Sequence, residues 1–413
     1  MGVMRTEAPP ALRRTTTGAV LAAAVTVLAT VATPAALAAG TDGAQRGTVV
    51  EVRQLDRLSP AEATARITAR GYSGPAARYG VADYRVVYRT VDPQGRPTTA
   101  SGLVSLPETA RRELGTVVYE HGTTAAKADA PSADGTDRAD AVLFAAAGYA
   151  TVAPDYLGLG SGPGPHPYAD TASETTASLD LLRAARRLVR EHGHRLATGV
   201  QVTGFSQGGP AAMALGRALQ QGADPHFRLV SLAPISGPYD AQHAEAPAGL
   251  VDGTLDGRTT NYLFGYWLTA MNREYHLYDS PAELFQAPYD RQVEALYDGS
   301  HADAEIFAAL PAAPHAFLTP HAIDWALHPT GALLRAFRAN DDSCDWAPDV
   351  PVRLFAADGD HSVAYLNSEH CARDLAAHGA RVTLTDVGTV DHSPSRRAAL
   401  PQVAALFEQR LPA

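Results

Sequence analysis

Gly204-Phe205-Ser206-Gln207-Gly208 follows the β-branched run Val200-Gln201-Val202-Thr203 and precedes the helix formers Ala211-Ala212-Met213-Ala214-Leu215, so Ser206 falls where a strand turns into a helix. A sharp elbow of this kind needs small flanking residues to let the two elements pass closely, and Gly204, Gly208 and Gly209 supply them. A hydroxyl at the tip of such an elbow can attack an acyl carbonyl once a base takes its proton. Gly-x-Ser-x-Gly also occurs in ordinary loops that enter helices, so the partners of Ser206 must decide.

Two later segments offer those partners. Ala357-Asp358-Gly359-Asp360-His361-Ser362-Val363 follows the apolar run Val352-Arg353-Leu354-Phe355, and Gly388-Thr389-Val390-Asp391-His392-Ser393 follows Val382-Thr383-Leu384. In an open parallel sheet, reactive groups gather at the C-terminal ends of the strands. The chain order serine, aspartate, histidine is then the order in which an elbow serine, its orienting acid and its base recur. His392 would remove the Ser206 proton, and Asp360 or Asp358, both on one loop, would hold the imidazole in the right tautomer.

The elements that must position these residues follow from the apolar pattern. Ser59-Pro60-Ala61-Glu62 is a capping-box start for a short helix to about residue 70. Residues 84–88 and 100–106 read as an antiparallel hairpin closed near Asp92-Pro93-Gln94-Gly95. From Gly115 onward, short apolar runs at 117–119, 150–153, 200–202, 229–232, 352–355 and 382–384 alternate with helical patterns near 137–147, 173–192, 207–221, 365–378 and 397–410. Near-continuous apolar strands between helices are what a parallel sheet covered on both faces requires. Residues 241–349 break the alternation with aromatic and aliphatic residues at helical spacing, as in Tyr262-Leu263-Phe264-Gly265-Tyr266-Trp267-Leu268. They read as a helical cap inserted between the sixth and seventh strands, leaving 39–240 and 350–413 as the core.

The ends of the chain and its charge set the surroundings. Residues 1–38 carry Arg5, Arg13 and Arg14, an apolar alanine-rich stretch and Ala36-Leu37-Ala38, the pattern of a cleaved secretory signal peptide. Its removal takes away three positive charges and Glu7, so the formal charge moves from −10 to −12. An acidic exported chain argues against nucleic acid partners, and no later segment is long and apolar enough for membrane insertion. The cysteines, Cys344 and Cys371, could close a disulfide in an oxidising compartment or stand as two buried thiols; no grouping around them suits a metal.

Tyr119-Glu120-His121-Gly122-Thr123, the stretch from Ala153-Pro154-Asp155-Tyr156 through Gly160-Ser161 to His166-Pro167-Tyr168, Gly204 to Gly209, and Asp345-Trp346-Ala347-Pro348 together resemble the secreted α/β-hydrolases of the lipase and esterase group. The likeness, over about residues 80–395, is greatest to the capped secretory lipases related to yeast lipase A. It implies an α/β-hydrolase fold, a mostly parallel central sheet flanked by helices with an inserted cap, and hydrolysis of carboxylic esters without metal or nucleotide cofactor. Asp360-His361-Ser362-Val363 resembles the family pattern at the acid, which favours Asp360. Gln207 departs from the small residue of several such lipases, and Gly-Phe-Ser-Gln-Gly-Gly also resembles the smaller, uncapped acyl-protein thioesterases.

Within that reading the backbone N–H groups of Gln207 and Thr123 are the expected oxyanion donors. Tyr156, Tyr262, Tyr266 and Trp267 are the expected substrate-binding residues, although such aromatic stripes also pack internally. His121 and the other histidines, His166, His315 and His321 among them, read as structural, surface or cap residues. A secreted serine peptidase, or a binding protein on the same scaffold that has lost activity, would share these features. The expected partner is a small-molecule or lipid ester.

Overall fold

Nine strands build the core: β1 Val49–Leu58, β2 Val81–Val91, β3 Pro97–Pro107, β4 Glu113–Glu120, β5 Ala150–Pro154, β6 Arg195–Phe205, β7 Arg228–Ile235, β8 Val352–Ala356 and β9 Val382–Asp386. They form one sheet of order β1-β2-β3-β5-β4-β6-β7-β8-β9, antiparallel from β1 to the β3–β5 pair and parallel thereafter. The computed structural model describes residues 45–409 apart from 75, 134 and 136, so the expected signal peptide lies outside the described residues.

The period-2 alternation of a strand sends successive side chains to opposite faces. Val118, Val152, Val202, Leu232 and Leu354 pack on one face with Leu181, Leu188, Met213 and Leu375. Tyr119, Ala153, Phe205, Ala233 and Phe355 pack on the other with Ile67, Val142, Phe144 and Phe407. The helices that cover these faces are α1 Pro60–Ala69, α2 Arg138–Ala147, α3 Thr171–Glu191, α4 Gly208–Gln220, α7 Leu366–Ala377 and α8 His392–Glu408, with α5 Gly257–Tyr275 and α6 Gly331–Asp341 belonging to the segment between β7 and β8. Ser59 caps α1 through the capping box the sequence announces.

Two elements differ from the sequence reading. The edge strand β1 is an addition: its Val49–Leu58 run is mostly solvent-exposed, so it lacks the alternating apolar face that marks a half-buried strand. Helix α8 starts at His392 rather than near 397, because the Asp391 carboxylate caps it by accepting the His392 N–H at 2.8 Å.

Between β7 and β8 the described chain is helical turns around a third apolar cluster, which includes Tyr262, Phe264, Trp267, Phe285, Phe317 and Phe337. Its two connections to the core meet. The Asp341 carboxylate accepts the Ala241 and Gln242 N–H groups at 2.8 and 3.0 Å, and His370 Nδ1 of α7 lies 2.6 Å from Asp240 Oδ2. A disulfide, Cys344–Cys371, ties the outgoing connection to α7. Closing a loop of 27 residues' separation stabilises by on the order of 3 kcal/mol in the chain-entropy account. No helix among the described residues is long and apolar enough to cross a membrane.

Candidate active site

The elbow between β6 and α4 holds Ser206 at φ +57°, a left-handed conformation unusual for a residue with a Cβ. Two backbone bonds fix it: Ser206 N–H donates to Ile235 O at 3.0 Å, and Gly209 N–H donates to Ser206 O at 2.7 Å. A Cβ on Gly204 would lie 2.0 Å from Gly208 O, and one on Gly208 would lie 2.1 Å from Glu120 O. The glycines are therefore required by the close passage of strand, helix and the end of β4, where Glu120 pairs in register with Gly204.

His392, the first residue of α8, sets its Nε2 2.8 Å from Ser206 Oγ and its Nδ1 2.6 Å from Asp360 Oδ2. Asp360 turns its other oxygen to the Ser362 and Val363 N–H groups, at 2.8 and 2.9 Å, so the carboxylate is held from behind. Asp358 is exposed and stands outside this group. Helix α8 is clamped one turn further on, where the Arg396 guanidinium pairs with Asp137 at 2.7 Å and Asp140 at 3.2 Å and lies 4.9 Å over the Phe205 ring. A serine hydroxyl facing an imidazole whose second nitrogen meets a carboxylate can pass its proton to that imidazole as it attacks an acyl carbon.

Gln207 follows Ser206 in the chain, and Thr123 borders the same space as Ser206. The Gln207 side-chain amide donates to Glu174 Oε1 at 2.7 Å and to His166 Nε2 at 3.0 Å, while His166 Nδ1 lies 2.8 Å from Leu157 O. Burial pushes the His166 imidazole down to about 3, so it is neutral and its Nε2 is free to accept. Burial likewise pushes the Glu174 carboxyl well above the usual range. His166 is thus a buried member of the site rather than the surface or cap residue the sequence suggested; its neighbours Pro167-Tyr168 gave no periodicity that could reveal this. Glu174 resembled an ordinary acidic residue of a helix first turn.

Two spaces meet at Ser206. One, of about 810 Å³, is lined by Leu263, Phe264, Trp267, Phe337 and Val363, and by the carboxyl residues Glu174 and Glu245. Burial pushes Glu245 up to about 8; its carboxylate accepts the Ala364 N–H at 2.9 Å and contacts the Asn367 amide, bracing the loop that carries Asp360. The other space, of about 940 Å³, is bordered by Thr123, Tyr262, Asp303, His392, Ser393 and Arg396. Apolar groups dominate the first and polar groups the second.

The aromatic residues expected at the substrate divide accordingly. Trp267 lines the apolar space and Tyr262 the polar one. Tyr266 and Tyr156 line neither. Tyr266 is buried between Tyr168 and Tyr297, stacked at ring distances of 4.2 and 4.8 Å. Tyr156 is buried against His121 and donates its hydroxyl to His121 O at 3.2 Å. Both rings have more to gain from packing than from a cavity wall. His121 is itself internal, its ring nitrogens 2.7 and 3.3 Å from Gly122 O and Asp155 O.

Comparisons with known proteins bear on the fold and the family. A candidate hydrolase of Legionella pneumophila is 25% identical with a TM-score of 0.80, over 88% of this chain and 97% of its own. The rice cell wall degrading esterase LipA of Xanthomonas oryzae is 27% identical with a TM-score of 0.74, over 88% and 96%. Candida antarctica lipase A, at 15% identity and a TM-score of 0.61 over 85% and 79%, shares the fold. No curated protein matched. The family model of the secretory lipases matches residues 136–412, well over half of the chain. With the α/β-hydrolase sheet, this places the chain in the secretory lipase family, and the protein is a carboxylic ester hydrolase.

Proposed function

We propose that the ester is cleaved through an acyl-enzyme on Ser206, with His392 as general base and then general acid, and Asp360 as the group that orients and stabilises the imidazolium. The observation that carries this reading is the pair of contacts at His392, 2.8 Å to the serine oxygen and 2.6 Å to the aspartate. The backbone N–H groups of Gln207 and Thr123 stabilise the oxyanion. Losing one donor of this kind typically costs about 3 kcal/mol of transition-state stabilisation.

The two spaces divide the substrate. The acyl chain lodges against Trp267, Phe264 and Leu263, where apolar surface leaves water, and the alcohol leaves on the polar side past His392 and Ser393, next to the acid that protonates it. The likeness to a cell wall degrading esterase makes esters with a polar alcohol natural candidates beside simple fatty esters. The chain acts after export: its family is secretory, its Cys344–Cys371 disulfide suits an oxidising compartment, and residues 1–38 carry the signal-peptide pattern.

Purified protein assayed on p-nitrophenyl esters of graded chain length tests the proposal. Turnover is expected, with Ser206→Ala abolishing it. Equal turnover by Ser206→Ala, or cleavage of aminoacyl-p-nitroanilides with none of esters, contradicts it.

A further inference from the structure

The loop His121-Gly122-Thr123-Thr124-Ala125 carries one expected oxyanion donor but lies at the end of β4, where sheet hydrogen bonds stop. A loop free at this point would leave Thr123 N–H poorly aimed, and an oxyanion donor is effective only when fixed before the reaction. The residues that hold it come largely from outside the sheet. Asp303, at the start of the short helix Asp303–Ala309, accepts the Ala125 N–H at 2.9 Å with Oδ1, and the same oxygen accepts the Tyr262 hydroxyl at 2.7 Å. Thr123 Oγ1 lies 2.8 Å from the Tyr168 hydroxyl, and the Tyr168 ring stacks on Tyr266 of α5. Asp303 and Tyr262 also border the polar space at Ser206.

From this juxtaposition, which rests on the acyl-enzyme reading above, we infer that Asp303 is a positioning residue: through Ala125 it fixes the oxyanion loop, so the segment between β7 and β8 completes the catalytic machinery of the core. Asp303 touches no reacting atom in this role. It is sandwiched between a core amide and a hydroxyl from α5, and moving the short helix would release the loop. Tyr262 orients the carboxylate, since its hydroxyl occupies a second lone pair of the accepting oxygen.

The inference predicts a loss in the chemical step with little change in ground-state binding, because the loop contributes chiefly when the oxyanion forms. On a short p-nitrophenyl ester, Asp303→Ala is expected to lower kcat about tenfold or more with KM within about twofold. Asp303→Asn keeps an acceptor oxygen for Ala125 and should return kcat to within about threefold of the parent. Asp303→Glu keeps the charge but displaces the acceptor by a methylene, and should resemble Asp303→Ala; it carries the test if Asp303→Ala does not fold. Wild-type kcat in folded Asp303→Ala or Asp303→Glu overturns the inference, as does an effect confined to KM, or an Asn variant as impaired as the Ala variant. Parent protein that neither turns over esters nor reacts with a fluorophosphonate at Ser206 would instead overturn the acyl-enzyme reading itself.

Discussion

The sheet core and the helical segment between β7 and β8 are built on different rules. In the core, each side chain of the proposed triad stands at a strand end or helix start whose backbone is already committed: Ser206 between β6 and α4, Asp360 after β8, His392 as the first residue of α8. Regular elements and their turns set these positions. In the helical segment, short turns surround an aromatic cluster, and its polar residues reach outward to brace core loops, Asp303 at Ala125, Glu245 at Ala364 and Asp341 at its own neck. On the proposed mechanism, the core carries the proton relay, while the helical segment lends the walls and the stiffness in which that relay would operate.

If that division holds, variants in the core and in the helical segment should fail differently. The largest effect belongs to the relay: Ser206→Ala or His392→Ala should lower kcat by about 10⁴-fold or more on every ester chain length, with no change in chain-length preference. Asp360→Asn should cost somewhat less, and Asp358→Asn almost nothing, as steady-state kinetics on two ester lengths would show. A similar loss in Asp358→Asn would break the assignment of roles around His392.

Next in size is the staple at the neck. Replacing Cys344 and Cys371 together by serine should lower stability by on the order of 3 kcal/mol, read from denaturant midpoints with and without reductant, and reductant should no longer affect the variant. Unchanged stability would mean that the neck is held by Asp341 and Asp240 alone. A smaller and more selective effect is expected at Trp267, whose ring packs 4.7 Å from Phe337 at the apolar wall. Trp267→Ala should reduce kcat/KM for long-chain esters by about tenfold while leaving acetyl esters within a few-fold, since hydrophobic pocket contacts discriminate by about 1–3 kcal/mol. Equal loss on both lengths would place the acyl chain elsewhere.

A further prediction concerns pH. Burial raises Glu120, Glu245 and Asp341 to about 8 each, so these groups keep their protons in the folded chain where the unfolded chain has lost them. Their contribution is fully present below the ordinary carboxylate range and is lost as pH rises toward 8, so the melting temperature should fall between about pH 5 and pH 8. Asp56, Asp137 and Asp224 act in the opposite sense, because their carboxyls are held below the ordinary value and their contribution disappears only in stronger acid. Glu245→Gln should flatten the decline; a slope identical to the parent's would contradict it.

The same contrast explains what could be read in advance. That Ser206 and His392 come together was legible because elbow glycines, apolar strands and chain order all constrain the same few positions. The choice between Asp360 and Asp358 depended on a loop in which Ser362 and Val363 N–H groups turn one carboxylate inward, a detail spacing does not carry. Strand β1 escaped notice because edge exposure removes its periodicity. Tyr156, Tyr266 and His166 were misassigned or left open since an aromatic side chain looks the same in sequence whether it packs internally or faces a cavity. Glu174 and Asp303 gave only the signal of acids near helix starts, while their partners, Gln207 and Ala125, are distant in sequence.

The most direct measurement is active-site titration with a fluorophosphonate, the adduct mapped by mass spectrometry while ester hydrolysis is followed in parallel. One equivalent on Ser206, with activity lost in proportion and neither labelling nor turnover in His392→Ala, is the expected result. Full modification at another residue, or hydrolysis that persists after Ser206 is completely labelled, would contradict the account.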